Sequence, residues 1–194
     1  IRHFGPDKAK NATFCAAETS GDFICGFRIG GAETFEVQAN YLYSFDMARE
    51  SGLRVTTHAG EWGGKESVRQ AIFDLKVERL GHRVEVIEDS SLLDEVSERN
   101  ITLKVCPGSN VALGIYPDTH SHPIEKLRNL GVNVTVSTDD PPFFHTDITK
   151  EYAALSRAFG WGKEDFKALN ETALNAAFCD NNTKNKLIKR LDTE

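Results

Sequence analysis

The alternation of short apolar runs with longer amphipathic segments constrains the fold of this chain more than any other feature. Five of these runs are rich in β-branched residues and predict strands, at residues 22–29, 53–58, 77–82, 101–106 and 132–138. The segments between them have helical periodicity, and Gly52 and Gly131 are placed to end two of the helices. Strands that alternate with helices predict right-handed crossovers and a parallel sheet. Only helical patterns follow Asp140, so the sheet should finish near residue 138.

Composition excludes several classes of protein. The 194 residues fit one domain of ordinary size or part of a larger barrel. Lysine and arginine (23 residues) are dispersed among 29 acidic residues, which gives a net charge of -6 and predicts no nucleic-acid partner. No apolar run approaches the about 18 residues that a membrane span needs, so no membrane partner is expected.

The four cysteines are far apart in the sequence and form no C-x-x-C pair. They are Cys15, Cys25, Cys106 and Cys179. This pattern is typical of reduced thiols in a cytoplasmic protein and disfavours a zinc site built from cysteine. We expect all four to be buried apolar side chains.

Reactive residues gather where the predicted strands end. Parallel α/β proteins form either a doubly wound sheet or an eight-stranded barrel, and both bind ligands at the carboxyl ends of strands. No G-x-G-x-x-G motif follows the first predicted strand, which disfavours a dinucleotide site, and the glycine pair at Gly30 and Gly31 is typical of a tight turn. The strand-end residues favour the barrel; they are Gly31, His58, His82, the CPGSN segment at 106–110, Asp139 and Asp140.

The sequence THAGE places His58 at the end of a predicted strand and Glu61 three residues later in a glycine-containing loop. The loop can bring the carboxylate back beside the imidazole, with a metal-bound water between them. Catalytic zinc sites use His and carboxylate ligands and leave one position for a water, whose pKa falls to about 7. The alternative is that both side chains are merely solvated or hydrogen-bonded.

Two adjacent carboxylates, Asp139 and Asp140, end the apolar run of VTVSTDDPPFF. Their like charges repel each other, and a bound cation would relieve that repulsion. Because successive strand residues point to opposite sides, one carboxylate can bind a metal while the other faces a substrate. Pro141 stiffens the turn that follows. The alternative for this motif is a turn that caps a helix.

Other candidate residues have simpler interpretations. His82 is either a catalytic residue at a strand end or a buried histidine bonded to a backbone carbonyl. His120 and His122 form an H-x-H pair, but they precede a helix in a long loop, and we do not assign them to a metal. No general base is indicated beside Cys106, and Pro107 suggests a shaped loop after it. We therefore interpret Cys106 as structural.

Several motifs together resemble the later half of the adenosine deaminase family, within the metal-dependent amidohydrolase superfamily. The segments that carry the resemblance are THAGE, RLGHRV, VCPGSNVALGIYP, HPIEKLRNLGV and STDDPPFFHTDITKEYA, in this order and spacing. The resemblance implies a TIM-type (β/α)8 barrel that is incomplete in this chain, with strands four to eight and the C-terminal helices present. Residues 1–194 would then be the C-terminal part of a single deaminase domain.

The resemblance also implies a single Zn2+ ion, with His58 and Asp139 as ligands. The family takes two further ligands from an H-x-H pair on its first strand, and no residue before 22 can play that part; IRHFGP looks like the end of the third strand. Two ligands are too few for a zinc site. We therefore expect an upstream segment of the same protein as a partner, and expect this chain alone to be inactive.

The remaining site residues take their roles from the same resemblance. Glu61 would donate a proton to the purine ring nitrogen beside the reacting carbon. His82 would orient the attacking water and help to deprotonate it. Asp140 would hydrogen-bond the purine and the water, and Gly31 would supply a backbone contact to the ring.

The implied reaction is hydrolytic deamination of a small purine nucleoside, adenosine, to inosine and ammonia. CPGSNVALG and PPFFHTDITKEY look more like adenosine than adenine deaminases. Adenine or another aminopurine is the alternative substrate. A hypothesis of another class is an inactive fragment or degenerate homologue that only binds a partner or a purine.

Overall fold

The computed structural model describes residues 2–21, 23–35, 37–60, 62–81 and 85–193. These residues form two compact units, Ile1–Thr102 and Leu103–Glu194.

The first unit contains parallel strands joined by helices. In chain order its elements are α1 (Gly5–Glu18), β1 (Gly26–Ile29), α2 (Leu42–Glu50), β2 (Arg54–His58), α3 (Gly64–Phe73), β3 (Arg79–Gly81) and α4 (Ser90–Glu98). Strand β2 pairs in parallel with β1 on one side and with β3 on the other. In this register Ile29 lies opposite Thr57, and His58 lies opposite Gly81. The carboxyl ends of these strands therefore meet at one edge of the sheet.

Apolar side chains from the strands and helices form the core of this unit. Val55 and Leu80 on the strands, and Phe45 and Ile72 on α2 and α3, are almost completely buried. The ring of Phe27 on β1 meets that of Phe45 edge to face, with 5.4 Å between centroids. Burial on this scale stabilises by about 1.5–3 kcal/mol for each large apolar side chain. The packing fixes the ends of the strands.

The second unit continues the alternation and ends in helices. Its elements are β4 (Thr102–Val105), α5 (Pro107–Ala112), α6 (Ile124–Asn129), β5 (Val134–Val136), α7 (Pro141–Phe144), α8 (Ile148–Phe159), α9 (Lys163–Ala176) and α10 (Asn181–Thr193). Strand β4 pairs in parallel with β5, so that Leu103 lies opposite Val134. Leu127 on α6, Leu155 on α8 and Leu169 on α9 are buried in the core of this second unit.

The five predicted strands all form, each shorter than the sequence predicts, and β5 ends before residue 138 as expected. Parallel pairing is confirmed within each unit. No helix of the described residues combines the length and apolarity that a membrane crossing needs.

The start of the chain and the CPGSN segment differ from the sequence-based expectation. Arg2–Phe4 forms a 3-10 helix that leads into α1, instead of a strand end. Pro6 lies in the first turn of α1, where its missing N–H has no intrahelical role. The backbone N–H of Arg2 nevertheless donates to the Gly30 carbonyl at 2.9 Å, directly after β1. Pro107 similarly begins α5, which replaces the expected loop.

The expectation of four buried cysteines is confirmed only for Cys106, which is completely buried. Cys15 and Cys25 are exposed and Cys179 is half-buried. The prediction is wrong for Cys15 because its position lies on the solvent side of α1, a helix whose only fully buried residue is Thr13.

Candidate active site

His58 ends strand β2, and two glycines from the neighbouring chain segments flank its imidazole ring. A Cβ atom added to Gly81 would lie 2.9 Å from Cδ2 of His58, and one added to Gly30 would lie 3.4 Å from Cε1. Real Cβ atoms essentially never approach as closely as the first of these distances. Gly30 and Gly81 therefore make room for the ring, a role that the tight-turn interpretation of Gly30 did not include.

The backbone carbonyl of His58 is held by two buried side chains. Nη2 of Arg2 donates to it at 2.8 Å, and Nε2 of Gln38 donates at 2.6 Å. Both side chains are 1% exposed. Burial lowers the pKa of Arg2, and the nearby Glu33 and Tyr41 oppose that shift. Sequence reasoning did not identify Arg2 or Gln38, since nothing in their local sequence indicates a contact with His58.

Glu33 lies beyond β1 and contacts the loop that follows His58. Its Oε2 accepts hydrogen bonds from the backbone N–H groups of Gly60 at 2.7 Å and Gly63 at 2.8 Å. The hydroxyl of Ser67, on α3, donates to the same oxygen at 3.2 Å. Glu33 is 8% exposed. The buried carboxylate thus joins the end of β1, the loop after β2 and the start of α3.

Asp139 follows β5 in a left-handed backbone conformation with a φ of 59°. This region is uncommon for residues other than glycine, and such residues are often found at functional sites. The hydroxyl of Ser109, on α5, donates to Oδ2 of Asp139 at 2.8 Å. Strand pairing continues almost to this point, because the N–H of Ser137 donates to the Val105 carbonyl at 2.8 Å. The position of the carboxylate is set by both the strand and α5.

Asp140 has a different environment from its neighbour. Its side chain is exposed, whereas Asp139 is half-buried. The Asp140 carbonyl accepts from the N–H groups of Phe143 and Phe144, which begins α7, but its carboxylate makes no capping hydrogen bond to that helix. The capping-turn interpretation therefore describes the backbone here and gives no role to the side chain. The two carboxylates meet different surroundings, as their strand-end position predicts.

A second buried carboxylate supports α5 and so the position of Ser109. Oε2 of Glu151, on α8, accepts from the N–H of Gly108 at 2.9 Å, and Oε1 accepts from the hydroxyl of Thr146 at 2.7 Å. A Cβ atom on Gly108 would lie 2.2 Å from Oε1 of Glu151. Gly108 therefore needs to be glycine for this contact, which sequence reasoning did not identify.

The side chains of His122 and Cys106 are both buried. Burial lowers the pKa of His122 to about 4. Its Nε2 lies 3.0 Å from Oδ1 of Asn110, and its Nδ1 accepts from the N–H of Ile124 at 3.2 Å. Burial raises the pKa of Cys106 to about 12, so its thiol stays protonated at neutral pH. The buried thiol agrees with the structural interpretation of Cys106.

Two of the site residues expected from the sequence, Glu61 and His82, lie outside the described residues. Gly31 is exposed and has a φ of 98°, which fits a turn directly after β1. Within the described ranges no group of three or more His, Cys, Asp or Glu side chains is arranged to hold a metal ion.

His58 and Asp139 each carry a donor group of a type that zinc binds. Imidazole and carboxylate are two of the donor types that zinc takes in catalytic sites. Zinc-binding side chains are normally oriented by a second hydrogen bond, and the Ser109 hydroxyl gives Asp139 such a bond. Gly30 and Gly81 leave room beside the His58 ring that larger residues at these positions would fill. Each residue, within its own unit, therefore has the donor type that the expected metal ion would need.

Comparison with known proteins shows the family to which this chain belongs. Parallel strands that alternate with helices and have polar side chains at their carboxyl ends are typical of a (β/α) barrel protein. The sequence profile described as adenosine deaminase matches residues 2–194. The chain therefore belongs to the adenosine deaminase family, and the fold expected from the resemblance, an incomplete (β/α)8 barrel, is confirmed.

Individual relatives and solved structures extend this comparison. An adenine deaminase of Rhizobium rhizogenes is 45% identical over 190 residues, which are 98% of this chain and 59% of the relative. The solved adenine deaminase of Arthrobacter aurescens matches 97% of this chain and 57% of its own, with 25% identity and a TM-score of 0.90. An amidohydrolase of Burkholderia ambifaria solved with bound Zn matches 97% and 53%, with 25% identity and a TM-score of 0.87. The chain spans about 59% of the length of the curated relatives it matches.

Proposed function

We propose that the protein to which this chain belongs removes the 6-amino group of adenine by hydrolysis. The observation that carries this proposal is the 45% identity, over 98% of the chain, to a relative named adenine deaminase. Adenosine, which the two motifs CPGSNVALG and PPFFHTDITKEY favour, becomes the alternative substrate. Identity over 190 residues outweighs a resemblance in two short segments.

The proposed reaction exchanges the amino group at C6 of the purine for an oxygen atom. Water adds its oxygen to C6 and the bond from C6 to the exocyclic nitrogen breaks. Of the two water protons, one leaves with the ammonia and the other ends on the ring nitrogen beside C6. The product from adenine is hypoxanthine. Protonation of the adjacent ring nitrogen draws electrons from C6 and makes this addition easier.

His58 and Asp139 are the residues of this chain that would bind the zinc ion. A bound zinc ion lowers the pKa of water to about 7 and so supplies a nucleophile at neutral pH. The contacts within each unit support these assignments, because each side chain is fixed by its own neighbours. Gly30 and Gly81 enclose the His58 ring, and Ser109 orients the Asp139 carboxylate.

Proton transfer is assigned to Glu61 and His82, on the resemblance of THAGE and RLGHRV to the family motifs. Glu61 would protonate the ring nitrogen, and His82 would accept a proton from the attacking water. Asp140 would bind the purine, and its exposed carboxylate is accessible for that role. Gly31 would offer a backbone group to the ring.

The test is a direct comparison of substrates with the full-length protein. Zinc content is measured first, and adenine and adenosine are then compared by ammonia release and ultraviolet absorbance. We expect about one zinc ion per protein. We also expect a kcat/KM for adenine at least about 100-fold above that for adenosine, because the two compounds differ by a polar ribose, and a site that must either hydrogen-bond or exclude such a group discriminates strongly. A preference for adenosine would make the substrate assignment wrong. No turnover of either compound by the zinc-loaded protein would make the deaminase assignment wrong.

A further inference from the structure

Buried polar side chains converge on the segment 58–63, which contains the proposed zinc ligand His58 and, in sequence, Glu61. Arg2 and Gln38 hold the carbonyl of His58 at the start of the segment. Glu33 holds the N–H groups of Gly60 and Gly63 further along. The backbone is therefore anchored by side chains on both sides of residue 61.

Three of the hydrogen bonds described for Glu33 go to one of its oxygen atoms. Oε2 accepts from two backbone N–H groups and from the hydroxyl of Ser67, at 2.7–3.2 Å. Burying a carboxylate is costly unless it is paired or hydrogen-bonded, and hydrogen bonds to an ionised group are about twice as strong as neutral ones. The contact is also specific in shape, because a Cβ atom on Gly63 would lie 2.5 Å from Oε2.

Ser67 links Glu33 to the residues that hold His58. Its Oγ accepts from Nε2 of Gln38 at 3.3 Å and from the N–H of Gly60 at 3.3 Å, while it donates to Glu33. Oε1 of Gln38 accepts from the hydroxyl of Thr57 at 3.3 Å. One buried network therefore extends from the last residues of β2 to the N–H of Gly63.

We propose that Glu33 is a positioning residue whose carboxylate holds the backbone at Gly60 and Gly63, on either side of residue 61 in the sequence, in the arrangement that the reaction requires. This inference rests on the proposed function for the roles of His58 and Glu61. Glu33 itself does not touch substrate in this proposal; it acts through the backbone N–H groups of Gly60 and Gly63.

The location of the contacts separates this role from general support of the fold. The apolar core of the first unit is formed by residues such as Phe45, Val55 and Leu80, and Glu33 holds a loop at the edge of that core. Loss of the carboxylate leaves the strand pairing intact and weakens the hold on Gly60 and Gly63. We therefore expect a larger effect on turnover than on stability.

The experiment uses the full-length, zinc-loaded protein and three variants, Glu33→Gln, Gly63→Ala and the double variant. Glu33→Gln removes the charge at nearly constant shape, and Gly63→Ala opens the same contact from the other side. The matched control is Glu78→Gln, because Glu78 pairs with Arg54 at the opposite end of β2. Measurements are kcat, KM, zinc content, the melting temperature and hydrogen exchange at the N–H groups of Gly60 and Gly63.

We expect each single variant to lower kcat by about 10- to 100-fold, the usual effect of removing a group that orients an active site. The change in KM should stay below about threefold, zinc content should match that of the wild type, and Gly60 and Gly63 should exchange faster. Gly63→Ala also brings a Cβ atom within 2.7 Å of Cβ of Ser67. Because both substitutions nevertheless act on the contact between Glu33 and Gly63, the double variant should lose less than the product of the single effects. Glu78→Gln should resemble the wild type.

Several results would overturn the inference. Unchanged kcat in Glu33→Gln with faster exchange would show that the held conformation is irrelevant to turnover. Effects that multiply in the double variant would show that Glu33 and Gly63 act separately. If the wild-type protein deaminates no aminopurine, the proposed function fails on its own, and hydrogen exchange still decides the contact: unchanged exchange in Glu33→Gln would refute it, and faster exchange would support it.

Discussion

The hydroxyl of Ser109 donates a 2.8 Å hydrogen bond to Oδ2 of Asp139, a residue with a left-handed backbone at the end of a parallel strand. Ser109 is completely buried on α5, and Glu151 holds the adjacent Gly108. The carboxylate is thus oriented from a helix that is itself fixed by a buried acid. Such indirect support fits the metal-ligand role proposed for Asp139.

Substitution of Ser109 by alanine should weaken zinc binding. The variant removes the bond that orients Asp139, and loss of such a partner typically costs about 10- to 100-fold in metal affinity. Zinc affinity of the full-length protein is measured by competition with a chelator. Ser121→Ala is the matched control, because that hydroxyl bonds only to Asp118 in an exposed turn among the described contacts. Equal affinities for the two variants would remove Ser109 from the support of the metal site.

A methyl group added at Gly81 should lower stability and zinc affinity more than one added at Gly30. Gly81→Ala introduces a Cβ atom 2.9 Å from the ring, and Gly30→Ala introduces one at 3.4 Å. Overpacking costs about 1–3 kcal/mol, so Gly81→Ala should show the larger fall in both the free energy of unfolding and zinc affinity. Denaturant unfolding and chelator competition measure the two quantities. The reverse order of effects would contradict the packing described for His58.

Substitution of Glu61 by glutamine should separate zinc binding from turnover. The amide cannot donate the proton assigned to the acid, and general acid catalysis typically contributes about 100- to 10,000-fold. The full-length variant should keep its zinc and lose activity by a factor in that range. Zinc content and kcat are measured on the same sample. Turnover of this variant at the wild-type rate would contradict the role of Glu61 in the mechanism.

His122 should make the stability of the fold depend on pH. The N–H of Ile124 donates to its Nδ1, so protonation of that nitrogen breaks the bond inside a buried site. Burial lowers the folded-state pKa from 6.5 to about 4. As the pH falls from 6.5 to 4, the unfolded chain takes up a proton that the folded chain does not, and the protein loses about 3 kcal/mol of stability from this group.

The measurement is the free energy of unfolding between pH 4 and pH 7 for the wild type and for His122→Gln. Glutamine does not titrate, so the curve of the variant should be flatter across this range. His120→Gln is the control, since His120 is exposed and its Nδ1 lies 2.9 Å from the Ala158 carbonyl. Parallel curves for the wild type and His122→Gln would contradict the assignment.

Local sequence signals predicted most of the secondary structure. The apolar runs became β1 to β5, and the helices after Asp140 formed where their periodicity indicated. The predictions were wrong where a short motif is compatible with two kinds of secondary structure. IRHFGP has the apolar residues of a strand end, but the following residues continue into α1. The CPGSN segment has the glycine and serine of a loop, but Pro107 is equally suited to begin a helix.

The supporting residues of the site had no such signal. Arg2, Glu33 and Gln38 act on residues that are 20 to 56 positions away in the sequence. A buried Glu and an exposed Glu look the same in a sequence without a periodic pattern around them. Only the tertiary structure, in which the segments before α1 and after β1 meet the end of β2 and the loop after it, shows that these polar groups are buried and bonded to the backbone.

The sequence by itself determined the order of strands and helices, the membership of the adenosine deaminase family, and the positions of His58 and Asp139 at the ends of β2 and β5. These properties follow from periodicity and from motifs that are contiguous in the chain. Tertiary structure decided how Ser109 orients Asp139, how two glycines enclose His58, and how Glu33 holds the loop between Gly60 and Gly63. The physical reason is that each contact joins distant segments, and its geometry exists only after the core has packed.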